Sequence, residues 1–203
     1  MINFKLFNIN FCVSVSFFCI FTLMLMLDKS GILFITSISI LIHEAGHLIA
    51  MLIIHSPPEK ICLKAGSVGI VSKGFCSFFE NAFVCIAGPF CNLIFFAVFY
   101  FAFLTSSNTV MFNFAAVNIV LFVFHMLPVS GLDGGTVLIC AIIRKAGEVT
   151  ALKILKIVSI NFAILFVLGG AYLIFIKKSN PSLLLLGIYL IFQILLKQMI
   201  EKQ

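Results

Sequence analysis

The sequence has little charge of either sign and no tryptophan. Of its 203 residues, 7 are acidic and 13 are basic, so charged residues make up 10% of the chain, where soluble domains have about 25%. Hydrophobic residues make up 63%, against about 45–50% in soluble domains. The scarcity of charge excludes a soluble globular enzyme, a disordered chain and a nucleic-acid binder with a broad basic surface. It predicts a membrane protein.

The seven cysteines lack the spacing of a metal or redox motif, because no pair of them forms C-x-x-C. Most of them lie in apolar segments, where cysteine behaves as a small buried hydrophobic residue. The cysteines are therefore expected to be structural, and they do not require an oxidising compartment.

Long uncharged runs predict about six transmembrane helices, since a helix needs about 20 apolar residues to cross a bilayer. The stretch 81–143 is uncharged except for Asp133 and too long for one crossing, so it is divided at the polar residues 105–108. The fold class is therefore predicted to be an all-α polytopic membrane protein, with a single membrane-embedded domain over 1–203. The predicted spans are 6–27, 31–54, 82–104, 110–128, 157–176 and 182–197.

Two segments are too polar, or too rich in glycine and proline, to be simple spans. Between the second and third helices, apolar residues alternate with polar or small ones over 59–75. This period of two predicts a small membrane-associated β hairpin. The sequence PVSGLDGG at 128–135 predicts irregular backbone, which the membrane interior tolerates only inside protein or beside a wet cavity.

The distribution of basic residues predicts the orientation. Ten of the 13 basic residues fall in segments on one side of the predicted spans, and Lys29, Lys177 and Lys178 fall on the other. Because basic residues concentrate in cytoplasmic loops, both termini are predicted to be cytoplasmic in a multi-pass protein of the cell membrane. The frequent use of Phe, Ile, Lys and Asn indicates a bacterial source.

The sequence H-E-A-G-H at 43–47 matches the pattern H-E-x-x-H. Positions i and i+4 share one face of a helix, so His43 and His47 can both reach one zinc ion. Glu44 beside them can take a proton from water and pass it to the leaving amine of a peptide bond. The alternative is a hydrogen-bonded polar cluster that only joins helices, although charged groups in an apolar span are costly, by about 2.5–3.5 kcal/mol each.

A catalytic zinc site needs a third protein ligand and one open position. Asp133 is the candidate, because it is the only other acidic residue in the apolar part of the sequence. The predicted topology also brings it to the cytoplasmic side, at a depth similar to that of 43–47. The alternative for Asp133 is an ordinary Asp-Gly turn or a helix cap.

With these motifs the sequence resembles the site-2 protease family of intramembrane zinc metalloproteases. HEAGH at 43–47 is similar to the family's first motif, and LDGG at 132–135 is similar to its second. AGPFCN at 87–92 resembles the family's A-G-P-x-x-N segment, and Asn118 falls where an asparagine commonly precedes the second motif. The resemblance covers about residues 30–145 and is to the short bacterial form of the sporulation-factor branch, without a PDZ or CBS domain.

The resemblance implies a zinc endopeptidase that cleaves peptide bonds in or next to transmembrane segments of membrane proteins. It implies that His43, His47 and Asp133 hold Zn²⁺ and that Glu44 is catalytic. The expected partners are a membrane-protein substrate and the lipid bilayer, not nucleic acid, and a regulatory membrane partner is left open. The rival interpretations are a catalytically inactive relative that acts as a scaffold and a metal-ion transporter, although the fifth and sixth spans offer a transporter almost no polar residues.

Three further residues are predicted to bind substrate: Asn92, His125 and Pro128. The family usually has asparagine where this chain has His125, three residues before Pro128, and a polar substrate contact, an additional metal ligand and a packing role all stay open for that histidine. Asn92 is predicted to bind substrate backbone, with a helix contact as the alternative, because buried amides need partners. The segment 61–71 is predicted to offer an edge strand to an extended substrate.

Overall fold

The structure is a computed structural model, and it describes residues 2–6, 9–64, 67–72, 77–176, 178 and 181–200. Within them the chain forms six helices and one four-stranded sheet. The elements divide into two compact units, Met1–Phe124 and His125–Gln203. In chain order they are β1 Ile2–Leu6, β2 Ile9–Val13, α1 Val15–Leu27, α2 Ile32–Ile53, β3 Pro58–Lys64, β4 Ser67–Ser72, α3 Phe78–Ser106, α4 Thr109–His125, α5 Asp133–Phe175 and α6 Ser182–Ile200.

Three of the described helices, α2, α3 and α5, are long and apolar enough to cross a membrane. Two shorter apolar helices accompany them, Thr109–His125 and Ser182–Phe192. Large apolar side chains such as Phe101 and Leu165 are more than 60% exposed on these helices, as expected where the surrounding solvent is lipid. The chain is a membrane protein.

The first predicted span, 6–27, is wrong in its N-terminal half. Residues 2–6 and 9–13 form the strands β1 and β2, and α1 begins only at Val15 and has 13 residues. The sequence INFKL in β1 alternates apolar and polar residues, which is the strand period. Absence of charge was therefore a poor guide here, because Asn residues interrupt the apolar run without adding charge.

The hairpin predicted over 59–75 is confirmed as β3 and β4, which pair antiparallel; its residues 65–66 and 73–75 lie outside the described residues. It belongs to a larger sheet than predicted, since β2 pairs with β3 in parallel and β1 pairs with β2 antiparallel. The all-α prediction is corrected accordingly: the strand order is β1-β2-β3-β4. In this sheet β3 has a neighbour on each side, whereas β4 lies at an edge.

The remaining predicted spans coincide with helices to within a few residues, except at the fifth. The helix α5 begins at Asp133, well before the predicted 157–176, and has one break at Gly147, where φ is 76° and ψ is 167°. The non-helical stretch predicted over 128–135 is confirmed over 128–132 but wrong over 133–135, which already belong to α5; the observed loop spans 126–132.

In the first unit, α2 and α3 approach each other very closely. A Cβ atom on Gly46 of α2 would lie 2.7 Å from the carbonyl oxygen of Ala87 and 2.8 Å from the Sγ of Cys91 on α3. Both distances are shorter than a side chain tolerates, so glycine at this position is what lets the two helices meet.

The start of α2 is held by Asp28, which precedes the span. Its carboxylate accepts hydrogen bonds from the Ser30 hydroxyl at 2.6 Å, the Ser30 amide at 2.9 Å and the Leu33 amide at 2.8 Å. These bonds, the Ser30 hydroxyl first, lower the pKa of Asp28 below its ordinary value. An ionised carboxylate thus satisfies backbone amides at the helix start.

In the second unit, the loop 126–132 is anchored on α5 and α6. Val129 is fully buried and packs with Ala163, Leu190 and Ile194. The hydroxyl of Ser159 accepts a hydrogen bond from the Ser130 amide at 2.8 Å and donates to the Leu155 carbonyl at 2.7 Å. These contacts fix the chain directly before Asp133.

Candidate metal centre

The two histidines of the H-E-x-x-H motif face each other one turn apart on α2. His43 is 3% exposed and His47 is 8% exposed. Their Nε2 atoms are 3.0 Å apart, and their rings are nearly perpendicular, at 84°. The helical spacing that predicted a shared face therefore brings the two ring nitrogens to one point.

Each imidazole is held from behind through its Nδ1 atom. The Nδ1 of His47 lies 2.8 Å from the carbonyl oxygen of Val84, and the Nδ1 of His43 lies 3.1 Å from the Oδ1 of Asn92. Oxygens of these two kinds only accept hydrogen bonds, so both Nδ1 atoms carry the proton and both Nε2 atoms carry a lone pair in the neutral rings.

This arrangement fits a zinc ion. Two lone pairs that face each other at 3.0 Å repel, and a shared cation removes that repulsion. Two nitrogens on one tetrahedral zinc lie about 3.3 Å apart, given Zn–N bonds of about 2.0–2.1 Å. Ligating histidines also characteristically donate their second ring N–H to a carbonyl or carboxylate, as His43 and His47 do.

Gly88 of α3 lets His47 take up this position. A Cβ atom on Gly88 would run into the Nε2 and Cε1 atoms of the His47 ring. The close approach of the imidazole to the α3 backbone is therefore possible only because this residue has no side chain.

Glu44 is half-buried on α2, next to His43 in sequence. It directly follows one of the two histidines in the sequence, as the motif requires. Its predicted catalytic role stays a prediction.

Asp133 is the first residue of α5, and its carboxylate is paired with His125. The Nδ1 of His125 lies 2.9 Å from the Oδ2 of Asp133, and the two side chains are 28% and 18% exposed. The helix-cap alternative for Asp133 is wrong, because Leu132 occupies the N-cap position. A Cβ atom on Gly134 would run into the Met126 carbonyl, so this glycine lets α5 start directly against the preceding loop.

The three residues predicted to bind substrate lie in different surroundings. Asn92 is fully buried and contacts His43, while Pro128 is half-buried in the loop 126–132. His125 contacts Asp133. The structure thus brings His43, His47 and Asn92 together in one unit and His125 and Asp133 together in the other. Substrate binding by Asn92, His125 and Pro128, and zinc binding by Asp133 with the two histidines, stay predictions.

Ser39 and Asn118 lie next to Asn92, which contacts His43, and the motifs did not predict this arrangement. Both are fully buried, and both contact the amide of Asn92. A signal for Ser39 was present, because it precedes His43 by four residues and so shares its helix face.

Comparison with known proteins identifies the fold. No family model and no curated protein matches the chain. Among solved structures, it is similar to a site-2 protease from Methanocaldococcus jannaschii, with a TM-score of 0.67 and 19% sequence identity, over 95% of this chain and 93% of that chain. The chain has the fold of a site-2 protease, and the resemblance seen in its motifs is confirmed at that level.

Proposed function

We propose that the chain is an intramembrane zinc metalloendopeptidase that hydrolyses peptide bonds in or next to transmembrane segments of membrane proteins. One observation carries the proposal: two buried imidazoles, His43 and His47, direct their Nε2 atoms to a common point at 3.0 Å from each other. They do so beside Glu44, in a chain with the fold of a site-2 protease.

In this proposal His43, His47 and Asp133 hold the ion. Two imidazoles and one carboxylate are a donor set that catalytic zinc sites use, with a fourth position open. When bound, zinc polarises the carbonyl of the scissile peptide bond and makes a water molecule acidic near neutral pH.

Glu44 moves the proton. As the water oxygen bonds to the carbonyl carbon, the carboxylate of Glu44 accepts the proton that leaves the water. When the C–N bond breaks, the same proton passes to the nitrogen of the leaving amine. Glu44 thereby returns to its ionised form, and no further reactant is needed.

The substrate class follows from the surroundings of the site. The motif lies within an apolar helix long enough to cross a membrane, so a substrate reaches it within or beside the bilayer. A peptide bond in a helix is enclosed by its own hydrogen-bonded turn, and the substrate segment must unwind locally to be cleaved. We further propose that the chain is a multi-pass protein of a bacterial cell membrane with cytoplasmic termini. Access of substrate to its site is open to control by a membrane partner.

The test measures zinc content and the cleavage of a model transmembrane substrate with the same purified protein. We expect about one bound zinc per chain and cleavage by the wild type. The variant Glu44→Gln keeps the shape of the side chain but cannot accept the proton, so it should retain zinc and lose about 100- to 10,000-fold in cleavage rate. Glu148→Gln is the matched control, because Glu148 is exposed on α5 and should leave both measurements unchanged.

Other outcomes separate the rivals. Cleavage by Glu44→Gln at the wild-type rate would refute the role of this residue. Zinc binding without cleavage of any membrane substrate would favour an inactive scaffold. Passage of zinc across vesicles that contain the protein would favour a transporter.

A further inference from the structure

We propose that Ser39, Asn118 and Asn92 form a buried positioning network that holds His43 in the tautomer able to bind metal. The proposal rests on the proposed function in so far as His43 is a metal ligand. In this network Asn92 orients His43, and Ser39 and Asn118 hold Asn92 in place. The family motifs assign no such role to Ser39 or Asn118.

The network joins three helices. Ser39 lies on α2, Asn92 on α3 and Asn118 on α4, and all three are 0% exposed. Burying polar side chains is costly unless they are hydrogen-bonded. Among the described residues, every buried side-chain nitrogen and oxygen has a hydrogen-bond partner, so the network is fully satisfied.

The orientation of the network is set at Asn118. Its Nδ2 lies 2.8 Å from the carbonyl oxygen of Phe114. Because a backbone carbonyl only accepts, the NH₂ group must face it, and the second Nδ2 proton is donated to the Ser39 hydroxyl at 3.0 Å. The Oδ1 of Asn118 therefore faces Asn92.

This orientation determines that of Asn92 in turn. The Oδ1 of Asn118 only accepts, so the Nδ2 of Asn92 must donate to it, at 3.2 Å. The second Nδ2 proton points to the Ser39 carbonyl at 3.4 Å. The Oδ1 of Asn92 is thus left to face the imidazole of His43.

The consequence is a fixed proton position on His43. With an acceptor oxygen 3.1 Å from Nδ1, the ring keeps its proton on Nδ1 and presents the lone pair of Nε2 to the metal. His47 obtains the same tautomer directly from the Val84 carbonyl. Asn92 can serve in this way only because Ser39 and Asn118 prevent its amide from turning over.

The test compares variants that differ in what they leave facing His43. Asn92→Leu removes the acceptor at similar volume, Asn118→Leu removes the group that orients Asn92, and Asn92→Asp keeps an acceptor oxygen. Asn161→Leu is the matched control: the Nδ2 of Asn161 donates to the carbonyl four residues earlier at 2.8 Å, as that of Asn118 does, but Asn161 is exposed.

Two readouts are used, neither of which is proteolysis. Nuclear magnetic resonance of isotope-labelled imidazole nitrogens in the metal-free protein, which has four histidines, reports the tautomer of His43. Competition with a chelator reports zinc affinity. We expect Asn92→Leu and Asn118→Leu to move the His43 proton towards Nε2 and to lower zinc affinity, by about 10- to 100-fold for Asn92→Leu. Asn92→Asp should keep the tautomer and most of the affinity, and Asn161→Leu should change neither.

The outcomes distinguish the network from the proposed function. An unchanged tautomer and unchanged zinc affinity in both leucine variants would overturn the network, even if the wild type cleaves its substrate. The expected shifts in a wild type that cleaves nothing would support the network and refute the protease. Should Asn92→Leu fail to fold, Asn118→Leu decides the question, since it leaves Asn92 and His43 in place.

Discussion

The Nδ1 atom of His125 lies 2.9 Å from the Oδ2 atom of Asp133, so the last residue of α4 and the first residue of α5 are joined across the non-helical loop between them. The contact holds one oxygen of the carboxylate. Residues that hydrogen-bond a ligating carboxylate in this way orient it and tune its affinity for the metal. The observed contact adds a fourth role to the three left open for His125, one that acts through Asp133.

We predict that His125→Ala lowers zinc affinity about tenfold, the lower end of the range for such supporting contacts, because both side chains are partly exposed. His125→Asn, which restores the residue usual in the family, should recover most of the affinity through its amide donor. Chelator competition measures both. The control is His55→Asn, since His55 is exposed and has a φ of 56°, a conformation that asparagine tolerates.

Different results would point to the other roles of His125. A KM that rises while zinc affinity stays at the wild-type value would indicate a substrate contact. A loss of zinc as complete as that expected for His43→Ala would indicate a metal ligand. No change in either measurement would indicate a packing role.

The contact between Gly88 and His47 leads to a second prediction. In Gly88→Ala the new methyl group meets the His47 ring, so either the imidazole turns away from His43 or α2 and α3 separate. We expect a loss of about 1–3 kcal/mol in unfolding free energy, as is typical of overpacking, together with weaker zinc binding. Thermal unfolding and chelator competition measure the two effects.

Gly169→Ala is the matched control for this substitution. A Cβ atom there meets only the Leu183 side chain, at an ordinary 3.5 Å. Alanine in a helix interior is more favourable than glycine by about 0.5–1 kcal/mol, so this variant should be slightly stabilised with unchanged zinc affinity. Wild-type zinc affinity in Gly88→Ala would contradict the place given to His47.

Much of the metal centre could be predicted from sequence because its geometry is local. His43 and His47 are one helical turn apart, and that spacing alone brings their Nε2 atoms together. The support for His43 was not predictable in the same way, since Asn92 contacts it from α3 and Asn118 contacts Asn92 from α4. Their hydrogen bonds depend on how α2, α3 and α4 pack against one another. The spacing of residues within one helix does not predict that packing.

The prediction of the fold failed at β2 for the same physical reason, contacts between residues that are distant in sequence. Residues 9–13 form a strand because they pair in parallel with β3, about 50 positions later in the chain, and a local count of charges does not detect such pairing. The early start of α5 was missed for another reason. The uncharged run after Asp133 ends at Arg144, close to the break at Gly147, so it is too short to be counted as a span although its residues are helical.

The sheet leads to the last prediction, which concerns how a substrate docks. The hypothesis that 61–71 offers an edge strand is now restricted to β4, because β3 is paired with β2 on one side and with β4 on the other. Proline removes a backbone N–H and is tolerated on an edge strand where that N–H points outward. We therefore expect a proline scan over Ser67–Ser72 to lower cleavage at every second position, by about 2- to 10-fold in kcat/KM for one lost hydrogen bond, with zinc content unchanged. The same scan over Ile2–Leu6, the other edge of the sheet, is the control and should leave cleavage unaffected. If all the β4 variants that retain zinc cleave as fast as the wild type, strand addition at the β4 edge is refuted.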